Sequence, residues 1–549
     1  MTKPQRLRIT GGTVYDPANG VAGVVRDVCI EDGKVVAKLP AGAPRLDAGG
    51  MIVMPGGVDL HSHIAGSSVN HGRRLQPEEH AADPVPAPRL DDPDGGGEAT
   101  GRSGTGGTIP STFATGYRYA GLGYTTAMEA AVAPLSARHA HAELDDTPII
   151  DAGLFALLGN DEYLFRQIAA GEQSRARDYA AWVLRAAGAY AIKIVNPGGV
   201  ELWKRGAPPR NVTGLDDPVG SSAVTPRRIL ETLTDAGNEL GLPHPVHIHC
   251  NSLGQPGNAA TTLETMQTLA GRRAHFTHLQ FHSYGGGRDT GWRSRAKDVI
   301  EYVNAHAEVS VDVGQVMFGP ATTVTADPPV GYLLHASSGR KWVNVDVELE
   351  TGCGIVPYSY REKGAVASLQ WAVGLELFLL ATDPWRVVLS TDHPNGGSFL
   401  SYPALIRLLM DRAYRDEQLK RVNAKLLKGS ALADGLAREY TLNEIAIITR
   451  AGPARLLGLT AKGHLGPGAD ADVTIYAQAG DAATMFATPR YVLKAGALVV
   501  EEGHLRRAPA GRRLATHPEY DVAVLRDLKR YFDQNASVSF ENYPCAGSV

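Results

Sequence analysis

Cysteine is scarce. The 549 residues hold four (Cys29, Cys250, Cys353, Cys545), none in CxxC spacing. That argues against a cysteine-held iron-sulfur cluster or zinc ribbon and fits free thiols in a reducing compartment. An excess of positive charge is missing too, the formal net charge being -4. A polyanion binder should show a basic balance, so nucleic acid is not an expected partner. No apolar run approaches a membrane span, and MTKPQRLRIT has no apolar signal core. The protein is therefore expected in the cytoplasm, away from membranes. No GxGxxG follows an early strand-like run, so the main mark of a dinucleotide-binding sheet is lacking.

What is present is a globular composition, 43% hydrophobic and 20% charged. The length suits about two to four domains, or one large barrel with an appendage. Short β patterns open the chain (RLRITGGTVYD, VRDVCIEDGKVVAKL) and return near its end (HLGPGADADVTIYA, YVLKAGALVVEEGHL). Two such segments can pair into one sandwich around an inserted domain. The expected division is residues 1–50 and 456–515 for the two parts of the sandwich, 51–455 for the barrel and 516–549 for a helical tail.

The middle alternates strand-like and helix-like segments. Eight candidate strands lie at 52–61, 125–131, 148–158, 191–196, 245–250, 274–281, 309–315 and 386–392. A helix after Thr225-Pro226 carries Ile229, Leu230, Leu233, Ala236 and Leu240 on one face. The fold class is α/β, a (β/α)₈ barrel whose site lies where the strands' C-terminal ends meet. Residues 64–112, rich in Gly, Pro and Asp, are expected to form a long loop above the first strand. Residues 316–362 lack periodicity, and Val522, Leu525, Leu528 and Phe532 make a helical stripe in the tail.

The 18 histidines form three HxH pairs, His61/His63, His139/His141 and His247/His249, where chance gives roughly 0.6. Alternate residues of a strand share a face, so such a pair can hold one metal ion. His61 and His63 end the apolar run 51–60. His139 and His141 sit in polar SARHAHAELDD and read as surface.

Further donors end later runs. Lys193 lies within AIKIVN, where an ammonium is costly to bury. It is either paired with a carboxylate or, deprotonated, has captured CO₂ to form a carbamate whose oxygens bridge two metal ions. His249 lies nearer the barrel mouth than His247. In AHFTHLQFHSYG, His278 and His282 share parity; one is a candidate ligand, and His282 could reach substrate from the loop. Asp392 ends VVLSTD, where a carboxylate could ligate a metal and take a proton from bound water.

Two histidines on strand one, Lys on four, His on five and six and Asp on eight resemble the binuclear amidohydrolase superfamily. More narrowly, HSHIAG, AIKIVNPGG, HFTHLQFHSYGG and STDHPNGGSF resemble the A component of formylmethanofuran dehydrogenase and of the related formyltransferase/hydrolase complex. The resemblance implies His61, His63, carboxylated Lys193, His249, His278 and Asp392 as ligands of two zinc or other divalent ions. It also implies hydrolysis or formation of the N-formyl bond of a methanofuran-type carrier, with the other components of such a complex as partners. Carriers of this kind bear polyglutamate-like tails, so Arg272, Arg273, Arg293 and Arg295 are candidate contacts. Two other readings are a stand-alone cyclic amidohydrolase acting on a hydantoin-like ring and a non-catalytic scaffold within a complex.

Overall fold

The apolar run ending in His61 is split by two glycines. Ile52–Pro55 belongs to one sheet and Gly57–Ser62 to another. The chain is pressed there against the next strand: a Cβ on Gly56 would stand 2.3 Å from Thr125 Oγ1, and one on Gly57 2.6 Å from the Tyr124 ring. The predicted strand 52–61 is thus two strands. In this computed structural model, residues 5–91, 98–205, 211–219, 224–287, 291–345 and 353–545 are described.

Eight parallel strands form the central ring: β1 (Gly57–Ser62), β2 (Tyr124–Val132), β3 (Asp151–Leu157), β4 (Ala191–Val195), β5 (Val246–His249), β6 (Ala274–Phe276), β7 (Val309–Asp312) and β8 (Val387–Val388). Each pairs with its neighbour in sequence order. An isolated parallel bridge between Ser62 and His393 joins the last strand's end to the first. All strands run one way, so their C-terminal ends share one mouth. Helices cover the outside; Pro226–Glu239, for example, starts where Thr225 accepts the Arg228 N–H at 3.4 Å and buries Ile229, Leu230, Leu233 and Ala236.

Both termini contribute to the flanking sheets. A four-stranded sheet is built from Lys34–Val36, Val28–Glu31, Arg6–Thr10 and Arg45–Asp47. A seven-stranded sheet places Ile52–Pro55 antiparallel to Val473–Tyr476. Ile9, Val14, Val28, Ile30, Val53, Val473, Ile475 and Leu493 pack in a common core. A buried ion cluster ties this unit to β3: Lys462 Nζ stands 2.7 Å from Asp151 and 2.8 Å from Asp472, and Lys494 Nζ 2.9 Å from each. Arg512 and Asp470 complete it.

Two stretches read as irregular hold regular elements. Residues 64–112 contain helices Ser67–Leu75 and Pro77–Ala82 and short strands; their Gly/Asp segment 92–97 lies outside the described residues. Residues 316–362 contain a hairpin of Gly319–Thr325 with Cys353–Tyr360 and the helix Pro328–Ser338. The tail helix is Val524–Asn535 and buries Val524, Leu528, Tyr531 and Phe532. Val522 precedes it and is exposed, so the expected stripe begins two residues late.

Candidate metal centre at the barrel mouth

The strand ends bring seven of the candidate residues together, all buried: His61, His63, Lys193, His249, His278, His282 and Asp392. Asp392 Oδ1 lies 2.9 Å from His61 Nε2 and 3.3 Å from His63 Nε2. Donor atoms of His61, His278 and Asp392 form one tight group, and those of His249, His278 and His282 a second. His278 and Asp392 have φ of 34° and 50°, each costing roughly 1–3 kcal/mol of backbone strain. Gly314 packs directly against the first, where a Cβ would stand 2.4 Å from His278 Cβ.

Burial sets the protonation. It drives His249, His278 and His282 well below the usual imidazole range, so these rings are neutral. Burial also opposes charge on His63, but hydrogen bonds and charge from Asp392 and Glu129 outweigh it and raise its pKa to about 9. A cation between those groups would displace that proton. Lys193 is lowered to about 7, first by burial, with Asp312, Asp392 and Glu129 acting against it.

A second set of residues supports the first and escaped the sequence reading. Glu129 Oε1 is 3.1 Å from His63 Nδ1, while its Oε2 accepts the N–H groups of Ile64 and Ala65 at 2.6 and 2.8 Å. Asn395 donates to Asp392, and Asp312 accepts from Ser390 at 2.7 Å and lies 3.1 Å from His275 Nε2. Asp327 Oδ2 is 3.4 Å from His249 Nε2. Glu129 had a usable signal, a carboxylate inside the apolar run TTAMEAAV. Asp327 had a weaker one, an acid before Pro328-Pro329.

In front of the cluster lies a cavity of about 460 Å³. His63, Lys193, His249, His278 and Asp392 form its floor, and Phe281, Trp292, Leu333, Tyr358 and Tyr360 are among its apolar walls. His282 ends the turn Leu279–His282 and faces His249 and His278, with ring centroids 5.1 and 5.3 Å away, so it does not line the cavity. His139 and His141 lie on the outer helix Ala137–Asp145.

The arginines fall elsewhere. Arg272 and Arg273 precede β6 and so sit at the end of the ring opposite the mouth. Arg272 pairs with Asp235 at 2.6 Å, and Arg273 donates to the carbonyls of Leu242 and Pro243. Arg295 is paired with Asp298. Arg293 lies on the hairpin Tyr284–Gly287/Gly291–Ser294, beside Trp292 of the cavity wall.

Residues 46–500 match the family model described as "Amidohydrolase family". The chain is 44% identical to Protein FwdA of Methanocaldococcus jannaschii, over 98% of this chain and 96% of that one. It is 39% identical to the A component of the formyltransferase/hydrolase complex Fhc of Methylorubrum extorquens, with the same coverage. The chain belongs to the amidohydrolase family, in the group of FwdA and its Fhc counterpart. A crystal structure of the FhcABCD complex with methylofuran, also from Methylorubrum extorquens, superposes with a TM-score of 0.90 at 38% identity, covering 98% of this chain and 96% of that chain.

Membership of the amidohydrolase family implies a divalent metal centre, and the residues fit one. Among the described residues, Lys193 Nζ, His278 Nδ1 and both nitrogens of His282 are buried without a hydrogen-bond partner. Polar atoms so placed are costly unless something pairs with them. Neutral imidazoles beside a carboxylate are the donor set a borderline cation such as zinc takes. The acidic cluster of Asp151, Asp470 and Asp472 is different, being already filled by Lys462, Lys494 and Arg512.

Proposed function

We propose that this chain is the hydrolytic component of a multisubunit complex of the formyltransferase/hydrolase or formylmethanofuran dehydrogenase kind. It cleaves, or in reverse forms, the N-formyl bond of a furan-type one-carbon carrier. Lys193 carries the reading: a buried amine without a hydrogen-bond partner, among imidazoles and a carboxylate, in a chain that matches its Fhc counterpart almost end to end.

On this reading His61, His63, His249, His278, Asp392 and a carbamate on Lys193 hold two zinc ions. A pKa near 7 leaves much of the Lys193 amine unprotonated at neutral pH, the form that adds CO₂ and releases a proton. Ions held there supply Lewis acidity, an acidified water and a polarised formyl oxygen. His282 completes the second donor group. Of the four arginines, Arg293 is kept as the candidate contact for an anionic tail.

Asp392 moves the proton. Although burial opposes its charge, His278 and His61 hold its carboxylate well below the usual range, so it is ionised and ready to accept. It takes the proton of the attacking water and delivers it to the carrier nitrogen as the C–N bond breaks. An amine leaves poorly unless protonated. The balance is one formamide and one water giving one protonated amine and one formate.

The test is formate release from an N-formylated furan-type carrier by the full chain with its co-purifying partners. Metal-loaded protein that releases no formate, or a single chain that opens a hydantoin-like ring instead, overturns the proposal.

A further inference from the structure

Four residues from three neighbouring strand ends close a circuit of contacts beneath the barrel mouth. Asp312, the last residue of β7, accepts the His278 backbone N–H at 3.0 Å and the Ser390 hydroxyl at 2.7 Å, both on Oδ1. Ser390 lies just beyond β8, and its Oγ in turn accepts the Gly314 N–H at 3.0 Å. Gly314 completes the loop, since a Cβ built on it would stand 2.4 Å from His278 Cβ. A hydroxyl has one proton to donate, so that of Ser390 is committed to Asp312 while its lone pair serves Gly314. Asp312 and Ser390 are fully buried.

His278 is where the chain leaves the strand. The β6–β7 ladder ends at Phe276 opposite Val311, and His278 takes φ 34° and ψ 51° ahead of the turn Leu279–His282. A residue with a side chain stays in that region only where its surroundings over-determine it. Its buried N–H does not join the ladder and needs an acceptor of another kind, which Asp312 Oδ1 supplies. Gly314 leaves room for the turn; the hydrogen bonds hold it. Gln280 N–H also reaches β7's end, at the Val313 carbonyl 3.0 Å away, but of the two attachments only the carboxylate continues to β8. The other oxygen of Asp312 is engaged elsewhere: Oδ2 lies 3.1 Å from His275 Nε2, and 3.6 and 3.8 Å from His61 Nδ1 and His247 Nε2. The clamp needs only an accepting atom at Oδ1, so it does not depend on where those rings carry their protons.

We propose that Asp312 and Ser390 are positioning residues that lock the left-handed backbone of His278 and so set its ring against Asp392. His278 and Asp392 belong to one donor group with His61, and Ser390 precedes Asp392 on the same strand end, so a single hydrogen-bonded pair ties together the supports of both donors. The bearing of the clamp on metal rests on the reading of His278 as a ligand; the clamp itself does not.

The test uses the full-length chain, Zn²⁺ alone as probe and competition with a chelator. Asp312→Ala is expected to lower zinc affinity roughly 10–100-fold, the usual effect of losing a group that orients a ligand. Asp312→Asn, which keeps an accepting oxygen, is expected to recover most of that loss. Ser390→Ala is the milder variant, expected to weaken zinc about tenfold, as for one hydrogen bond to a charged group. Each substitution is repeated in His278→Ala. With that ring gone the clamp has nothing to orient, and neither should add more than about twofold, the scatter between independent sites. Hydrogen exchange of the zinc-free chain gives a readout without metal: the peptide that spans His278 should exchange faster in Ser390→Ala than in wild type. Unchanged zinc affinity in Asp312→Ala and Ser390→Ala, an Asp312→Asn no better than Asp312→Ala, an equal loss with and without the His278 ring, or unchanged exchange overturns the inference. A wild-type chain that binds no zinc, or a His278→Ala chain that binds it as wild type does, sinks the ligand reading instead, and exchange then decides the clamp. Where Asp312→Ala fails to fold, Ser390→Ala decides it.

Discussion

Asn395 donates its side-chain amide to Asp392 Oδ1 at 2.8 Å, and its own Oδ1 accepts the Val324 N–H at 2.6 Å. The chain beyond β8 is thereby pinned to the hairpin that walls the cavity. Asp392→Asn is expected to lower kcat about 10²–10⁴-fold, the range for loss of a general acid-base group, with metal content largely kept. Asn395→Ala, which frees the carboxylate to turn, is expected to cost about tenfold, one hydrogen bond's worth. Wild-type turnover by Asp392→Asn would remove the proton-transfer role.

Lys193→Ala takes away the amine that a carbamate requires. Metal analysis should find it depleted, and short carboxylic acids added to the buffer should restore part of the metal content and activity. Full metal occupancy in the variant without such additives would show that no carbamate is needed.

Glu129→Gln keeps the size of the side chain and removes its charge. The carboxylate now serves His63 and two backbone N–H groups at once. Zinc affinity is expected to drop roughly 10–100-fold, measurable by chelator competition. A variant indistinguishable from wild type would leave Glu129 only a packing role.

The ion cluster between β3 and the flanking sheets predicts a specific acid sensitivity. Burial opposes charge on Asp151, Asp470 and Asp472, but their cationic partners, Lys34 on Asp470 and Lys462, Lys494 and Arg512 within the cluster, outweigh it and lower all three; Asp472 falls from 3.8 to about 2. A carboxylate depressed in the folded state contributes stability above its ordinary pKa and loses it as pH falls through the folded value. For Asp472 the Tm should therefore decline between about pH 4 and pH 2. Lys462→Met is expected to lower stability by roughly 3–5 kcal/mol, the cost of stranding buried charge, and to flatten that decline in Tm. An equal acid slope in both proteins would count against the cluster as its source.

Lys193 and Asp392 were legible because a charge inside an apolar run is conspicuous, strand parity paired His61 with His63, and nearness to the strand's C-terminal end favoured His249 over His247. Glu129 carries the same mark in TTAMEAAV and needed only the same question. The arginines were chosen for what a polyanionic tail would want; strand direction alone sends Arg272 and Arg273 to the opposite end of the ring. The strand 274–281 overran because β6 stops at Phe276, and His278 at φ 34° begins a tight turn. The turn packs on Gly314, which is remote in sequence and leaves the room it needs. The hairpin hidden in residues 316–362 gave no alternation because Cys353, Gly354, Ile355 and Val356 are all buried, so successive side chains look alike.

The barrel's first and last members meet through one backbone bridge, Ser62 to His393, and His61 and His63 face Asp392 across the same join. A cation gripped from both sides there would act as a rivet in the weakest seam of the hoop. Loading that centre would then also tighten the vessel that contains it, and emptying it would loosen the mouth above the cavity.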